Sequence, residues 1–139
     1  MRVLVTGGAG YIGSITATAL LERGFEVLVL DDLSTGHRQA VPTGARFSQG
    51  DVRDRELVTG LLERERVEAV MHFAASSLVG ESMRRPHDYF LNNTAGSLEL
   101  LAALAAAGVQ RFVLSSTAAL FGTPESVPIG EDAPVRPES

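Results

Sequence analysis

Val3-Leu-Val-Thr-Gly-Gly-Ala-Gly-Tyr-Ile-Gly-Ser14 sets a buried strand, a glycine turn and a helix start in immediate succession. Gly7, Gly10 and Gly13 lack a β-carbon, so the chain can turn sharply, an anion can approach the backbone, and the helix can lie close against the strand. The helix start then aims free N–H groups and the positive end of its dipole at whatever occupies the turn. Three glycines at this spacing are weak evidence alone, but a strand before them and a helix after them supply the required context. Ile12, Ile15, Thr16, Ala19 and Leu20 recur at i, i+3, i+4, i+7 and i+8, which predicts a helix with that face buried, and Gly24 closes it.

A second apolar run, Phe25 to Leu30, ends at Asp31. That acid lies about twenty residues beyond the glycines, where a carboxylate meets the hydroxyls of an adenosine ribose. A carboxylate there repels a 2′-phosphate, so NAD is expected over NADP. The plainer alternatives are a tight turn in an unliganded α/β protein and, for Asp31, a loop cap.

The chain has 139 residues, enough for one domain with a real core, and is 45% hydrophobic and 21% charged. It contains no cysteine, which removes disulfides, thiolate nucleophiles and cysteine metal sites. The three histidines lack the paired spacing with carboxylates that a metal needs, so no metal site is expected. A net charge of −5, from 17 acids against 12 bases, argues against a protein that tracks nucleic-acid phosphates. All 12 bases are arginine, so no lysine amine is available for a Schiff base or for tuning a hydroxyl. The longest apolar stretch, Leu98 to Val109, is too short to span a bilayer, and no basic leader precedes the first strand, so no membrane contact and a cytoplasmic location are expected.

Strand-like and helix-like segments alternate, the pattern of a parallel sheet with crossover helices. A polar loop through Asp32, Ser34, Gly36 and Pro42 leads to a short strand at Ala45 to Gln49. Asp54 is placed to cap a helix carrying Leu57, Val58, Leu61 and Leu62 on one face. Ala69 to Phe73 reads as the next buried strand, with His72 a structural residue in it, while His37 and His87 read as solvated loop positions. Val79 to Ala107 is helical with a break near Pro86. Its long second part carries Ala95, Leu98, Leu101, Ala102 and Ala105, widened by Leu100 and Leu104, and so needs cover from another element or a second subunit. Phe112 to Leu114 is a fifth strand. Beyond Gly122, four of the six prolines fall among acids in a loop. The fold class is therefore α/β, a Rossmann-type doubly wound parallel sheet that stops after its fifth strand.

Taken in order, these segments resemble the extended short-chain dehydrogenase/reductase family, in its NAD-dependent epimerase/dehydratase branch. The motifs are Thr6-Gly-Gly-Ala-Gly-Tyr-Ile-Gly-Ser14, Asp31-Asp-Leu-Ser-Thr-Gly-His-Arg38, Gly50-Asp-Val-Arg53, His72-Phe-Ala-Ala75, Val79-Gly-Glu-Ser82, Tyr89-Phe-Leu-Asn-Asn93 and Ser115-Ser-Thr-Ala-Ala-Leu-Phe-Gly122. The glycine motif is shared across the superfamily, whereas Val79 to Ser82 with the Asn92-Asn93 pair points to the 4-epimerases of nucleotide sugars.

The resemblance implies NAD contacts at Tyr11 and Ile12 on the helix start, and at Asp31, Asp32, Leu33, Ser34, Thr35 and Gly36 around the ribose. It implies further contacts at Asp51 and Val52 beside the adenine, at Phe73, Ala74, Ala75 and Ser77 in the stretch Phe73 to Ser77, and at Asn92 and Ser115. Thr117 stands at the family's catalytic Ser/Thr position, where a hydroxyl bonds the substrate's reacting oxygen. Ala75 and Ser77 replace a glycine and a lysine found in some members, which affects one nicotinamide-side contact. The implied reaction interconverts the glucose and galactose forms of a UDP-hexose through a 4-keto sugar, with NAD regenerated, and the implied assembly is a homodimer. The family's Tyr-x-x-x-Lys pair, which supplies the base, is expected beyond Ser139. On this reading residues 1–122 are the NAD-binding domain, residues 123–139 lead towards the catalytic pair and the substrate domain, and the chain alone is inactive. Two alternatives stand beside it. One is a nucleotide-sugar dehydratase or decarboxylase, against which Ala118 and Ala119 stand where dehydratases place Asp-Glu. The other is a non-catalytic NAD-binding module.

Overall fold

The apolar runs form five short parallel strands: β1 (Arg2–Thr6), β2 (Glu26–Asp31), β3 (Arg46–Gln49), β4 (Ala69–His72) and β5 (Arg111–Leu114). The structure, a computed structural model, describes residues 1–139. The sheet order is β3-β2-β1-β4-β5, so the chain winds outward from β1 in one direction and then from β4 in the other. β1 is central, with Val5 paired to Val29 on one side and Met71 on the other.

Because strand side chains alternate between faces, each strand feeds two cores. Val3, Val5, Val27 and Val29 meet Ala9 and Ala17 on the face covered by α1 (Tyr11–Glu22). Leu4, Leu28, Leu30 and Val70 meet the other two crossover helices on the opposite face. These are α2 (Arg55–Arg64), supplying Val58, Leu61 and Leu62, and α5 (Gly96–Ala106), supplying Leu100, Ala103 and Leu104. Asp54 caps α2 as its position predicts, its carboxylate accepting the Leu57 N–H at 3.0 Å.

The predicted break near Pro86 is present. α3 (Val79–Ser82) ends before α4 (Pro86–Tyr89), with Pro86 at a first-turn position where its missing N–H costs nothing. His87 is thus an exposed helical residue and not a loop residue. A π-helix, Phe90–Ala95, then runs into α5. Thr123 to Ser139 contains turns but no helix or strand, and returns Arg136 to the Leu120 carbonyl at 3.0 Å. No helix is long and apolar enough to cross a membrane.

Two predicted faces are corrected. In α1 the buried positions are Gly13 and Ala17, while Ile12 and Ile15 are exposed. Small residues win there because the helix lies too close to the sheet for larger ones. In α5 the core takes Gly96, Leu100, Ala103 and Leu104, and Leu98 and Leu101 face outward. The leucines named as the widening of that face are in fact its centre.

Candidate functional site

Apart from Asn92, which lies within the π-helix Phe90–Ala95, the candidate residues lie at or just beyond the C-terminal end of a strand, or in the first turn of the helix that follows β1. In open α/β sheets that edge, at the point where strand order reverses, is the ligand crevice. Here the reversal falls between β1 and β4. The turn after β1 is tied to both neighbouring strands: the Gly7 N–H donates to the Leu30 carbonyl, and the Phe73 N–H to the Thr6 carbonyl, each at 2.9 Å.

Two glycines are required by what surrounds them. Gly7 has φ +70°, and a β-carbon on it would lie 2.6 Å from the Ala74 nitrogen and the Phe73 carbonyl carbon. A β-carbon on Gly13 would lie 2.2 Å from the Gly7 oxygen. The start of α1 is thereby pressed against the turn. Its N-cap is Gly10, and no side chain caps it, so the first-turn N–H groups remain free for an anion. Tyr11 and Ile12 stand exposed beside this opening.

At the end of β2, Asp31 is buried, with one carboxylate oxygen accepting the Ala9 N–H and the other the Leu33 N–H, both at 2.9 Å. Loop capping is therefore real, and it ties the acid to the glycine turn. Each oxygen keeps lone-pair capacity for a hydroxyl. The His37 N–H donates to the Ala9 carbonyl at 2.9 Å, and Gly36 packs on Asp31 so closely that a β-carbon would lie 2.9 Å from its oxygen. Asp32 is exposed and accepts both the amide and the hydroxyl of Ser34, at 2.8 and 2.6 Å. Ser34 and Thr35 are exposed and Leu33 partly so, making Asp31 to Gly36 a polar hook beside the turn.

Beyond β3, Asp51 accepts the Arg53 amide and guanidinium, each at 2.8 Å. The Arg53 bond holds the Asp51 carboxyl below its usual range. Val52 is buried against α5, so only its backbone is available to a ligand. Arg53 was not singled out from the sequence, although Asp51-Val-Arg53 carried the signal. Its guanidinium also feels the charge of Asp32 across the site.

At the β4 end, His72 is buried and bonds Thr6 Oγ1 through Nδ1 at 2.6 Å and Ser97 Oγ through Nε2 at 3.1 Å. Burial pushes its pKa down. Asn93, another residue missed from sequence as a site component, grips Ser76: its Oδ1 accepts the Ser76 N–H at 2.8 Å and its Nδ2 donates to the Ser76 carbonyl at 2.9 Å. Asn92 donates to Asn93 Oδ1 at 3.0 Å. Ala75 and Ser77 are exposed on this segment, with Phe73 and Ala74 partly buried.

After β5, the Ser115 N–H donates to the His72 carbonyl at 3.1 Å, which carries the strand pairing to the same edge. Thr117 is exposed, and its Oγ1 accepts the Ala119 N–H at 3.1 Å. An accepting hydroxyl keeps its own proton to donate. An uncapped helix start for a diphosphate, buried and exposed carboxylates for hydroxyl and amino groups, and a free hydroxyl donor together suit a dinucleotide.

Residues 3–139 match the family model described as the NAD dependent epimerase/dehydratase family. A UDP-glucose 4-epimerase of Azospirillum brasilense is 53% identical over 136 residues, covering 98% of this chain and 39% of the relative. The UDP-glucose 4-epimerase of Thermus thermophilus, solved as a complex with NAD, is 45% identical with a TM-score of 0.91, covering 100% of this chain and 45% of that one. The UDP-glucose-4-epimerase of Stenotrophomonas maltophila with bound NAD and formylated UDP-arabinopyranose is 40% identical with a TM-score of 0.91, covering 98% and 43%. This chain thus spans about two fifths of the length of the curated relatives it matches.

Proposed function

The chain belongs to the NAD dependent epimerase/dehydratase family, and from that premise we propose that it is the NAD-binding part of a UDP-glucose 4-epimerase. The observation that carries this reading is the glycine turn fused to the buried Asp31 carboxylate through the Ala9 N–H. It joins a diphosphate-binding element to a ribose-binding one in a single rigid unit. The solved relatives described above, 4-epimerases holding NAD and in one case a UDP-sugar as well, support the same assignment.

Reversible hydride transfer to and from the sugar is the chemistry that NAD would supply when bound. The residues of this chain bind and orient. The first-turn N–H groups of α1 hold the diphosphate, and Asp31 and its loop hold the adenosine ribose. Asp51 and the Val52 backbone face the adenine, and Phe73 to Ser77 with Asn92 and Ser115 border the nicotinamide half. The Thr117 hydroxyl donates to the reacting sugar oxygen. It is not the base, because an aliphatic hydroxyl does not ionise near neutrality.

Tyr89 does not fill that role either: burial and its bond to Glu81 push the phenol up, further from working pH. In this reading the general base and the substrate cover come from residues outside these 139, and the chain alone turns over no UDP-galactose. A base contributes about 10²–10⁴-fold to such proton transfers. The reading also retains a homodimer, for which the outward Leu98 and Leu101 supply an apolar surface, and the cytoplasm as compartment.

Calorimetric titration with NAD tests the assignment, together with a UDP-galactose conversion assay on this chain and on a longer one. Saturable NAD binding is expected, weakened by about tenfold or more in Asp31→Ala, which removes a charge-assisted bond. Unchanged affinity in that variant removes Asp31 from the site. Turnover by the short chain overturns the missing-base account.

A further inference from the structure

His72 lies outside the roles assigned so far, yet its two ring nitrogens meet two different hydroxyls in the core. The proton positions follow from counting. The single Ser97 hydroxyl proton goes to the Asn93 carbonyl at 2.6 Å, so Ser97 Oγ accepts from His72 Nε2–H. Nδ1 is then the acceptor for the Thr6 hydroxyl. The ring is neutral with both nitrogens satisfied, and no buried side-chain polar atom of the chain lacks a partner.

This chain of bonds has two ends of consequence. Thr6 is the residue before the Gly7 turn, and its carbonyl holds the Phe73 N–H. Asn93 clasps the Ser76 peptide from both sides and receives Asn92. Any buried imidazole must find partners for both nitrogens, and the two found here join the residue before the glycine turn to α5. We propose that His72 is a positioning residue for the dinucleotide, fixing the Phe73 to Ser77 segment and Asn92 on the nicotinamide side of the site through Ser97 and Asn93. The inference rests on the cofactor reading above, with the adenosine half on the β2 side and the nicotinamide half on the β4 side of the strand reversal.

The test compares NAD with ADP, which lacks the nicotinamide half, by calorimetry on the whole chain. Ser97→Ala removes the hydroxyl joining His72 to Asn93 and places a good helix former in α5. It is expected to weaken NAD by about tenfold while ADP stays within about twofold. Ser97→Thr, which keeps the hydroxyl, restores NAD affinity. His72→Asn keeps an acceptor towards Thr6 but cannot reach Ser97, and should reproduce the Ser97→Ala pattern. Equal loss of NAD and ADP means general loosening and overturns the proposal, as does full NAD affinity in either Ser97→Ala or His72→Asn. An unsubstituted chain that binds no NAD removes the cofactor reading and this proposal together. One that binds NAD no better than Ser97→Ala removes this proposal alone.

Discussion

A methyl group at position 13 has nowhere to go, because it would sit 2.2 Å from a backbone oxygen that cannot rotate away. Gly13→Ala should therefore cost about 2 kcal/mol of stability despite the helix propensity it gains, and should abolish NAD binding by lifting α1 off the turn. Thermal melting and NAD titration of that variant check both effects. His72 makes a second prediction, on pH. Burial holds its imidazole neutral in the fold, so the unfolded chain takes up a proton the folded chain refuses. The stability this represents is fully present above the unfolded value, about 6.5, and is lost as pH falls through the lower folded value. Melting temperature should decline on acidification through that window, and His72→Asn should lose that component of the slope. Asp31 and the glycines could be placed from sequence because strand, glycine turn, helix start and an acid about twenty residues on form one recognisable pattern, even though Asp31 reaches back 22 residues to Ala9. The clasp of Ser76 by Asn93 could not, since no motif spacing marks it and it depends on how the π-helix Phe90–Ala95 sits against the segment after β4.

Elements show the same division between local and tertiary causes. α2 was legible at its start, because Asp54 and the Val58, Leu61, Leu62 spacing are both written locally, although Leu57, read on the same face, is exposed. Asp54→Ala should cost about 1 kcal/mol, seen as a lower urea midpoint with an unchanged slope. α1 and α5 were located well but rotated wrongly. A periodicity count weights large apolar side chains, whereas α1 approaches the sheet through Gly13 and Ala17 and leaves Ile12 and Ile15 outside. α5 is apolar on nearly every side, so its own composition could not say which side the sheet would take.

Across the whole molecule, the fold class followed from alternation of strands and helices together with the glycine turn, and the five-stranded parallel sheet has that class, while its order was read from the structure. On the reading proposed above, a second copy covers the outward face of α5. Leu98 and Leu101 are 62% and 42% exposed, one turn apart. If they pair two copies, Leu98→Glu should shift sedimentation from dimer to monomer while leaving the melting curve of a single copy within about 0.5 kcal/mol, the usual range for surface changes. The two sides of the sheet are unequally loaded: α2 and α5 share one, while α1 covers the other, entering it through Gly13 and Ala17 with Leu20 and Leu21 packed behind them. On the reading proposed above, the start of α1 is where the diphosphate would sit, and an occupant bridging it to Asp31 at the end of β2 would act as a latch between the two. If the chain binds a dinucleotide as proposed, its lifetime against a protease should lengthen as that ligand is added.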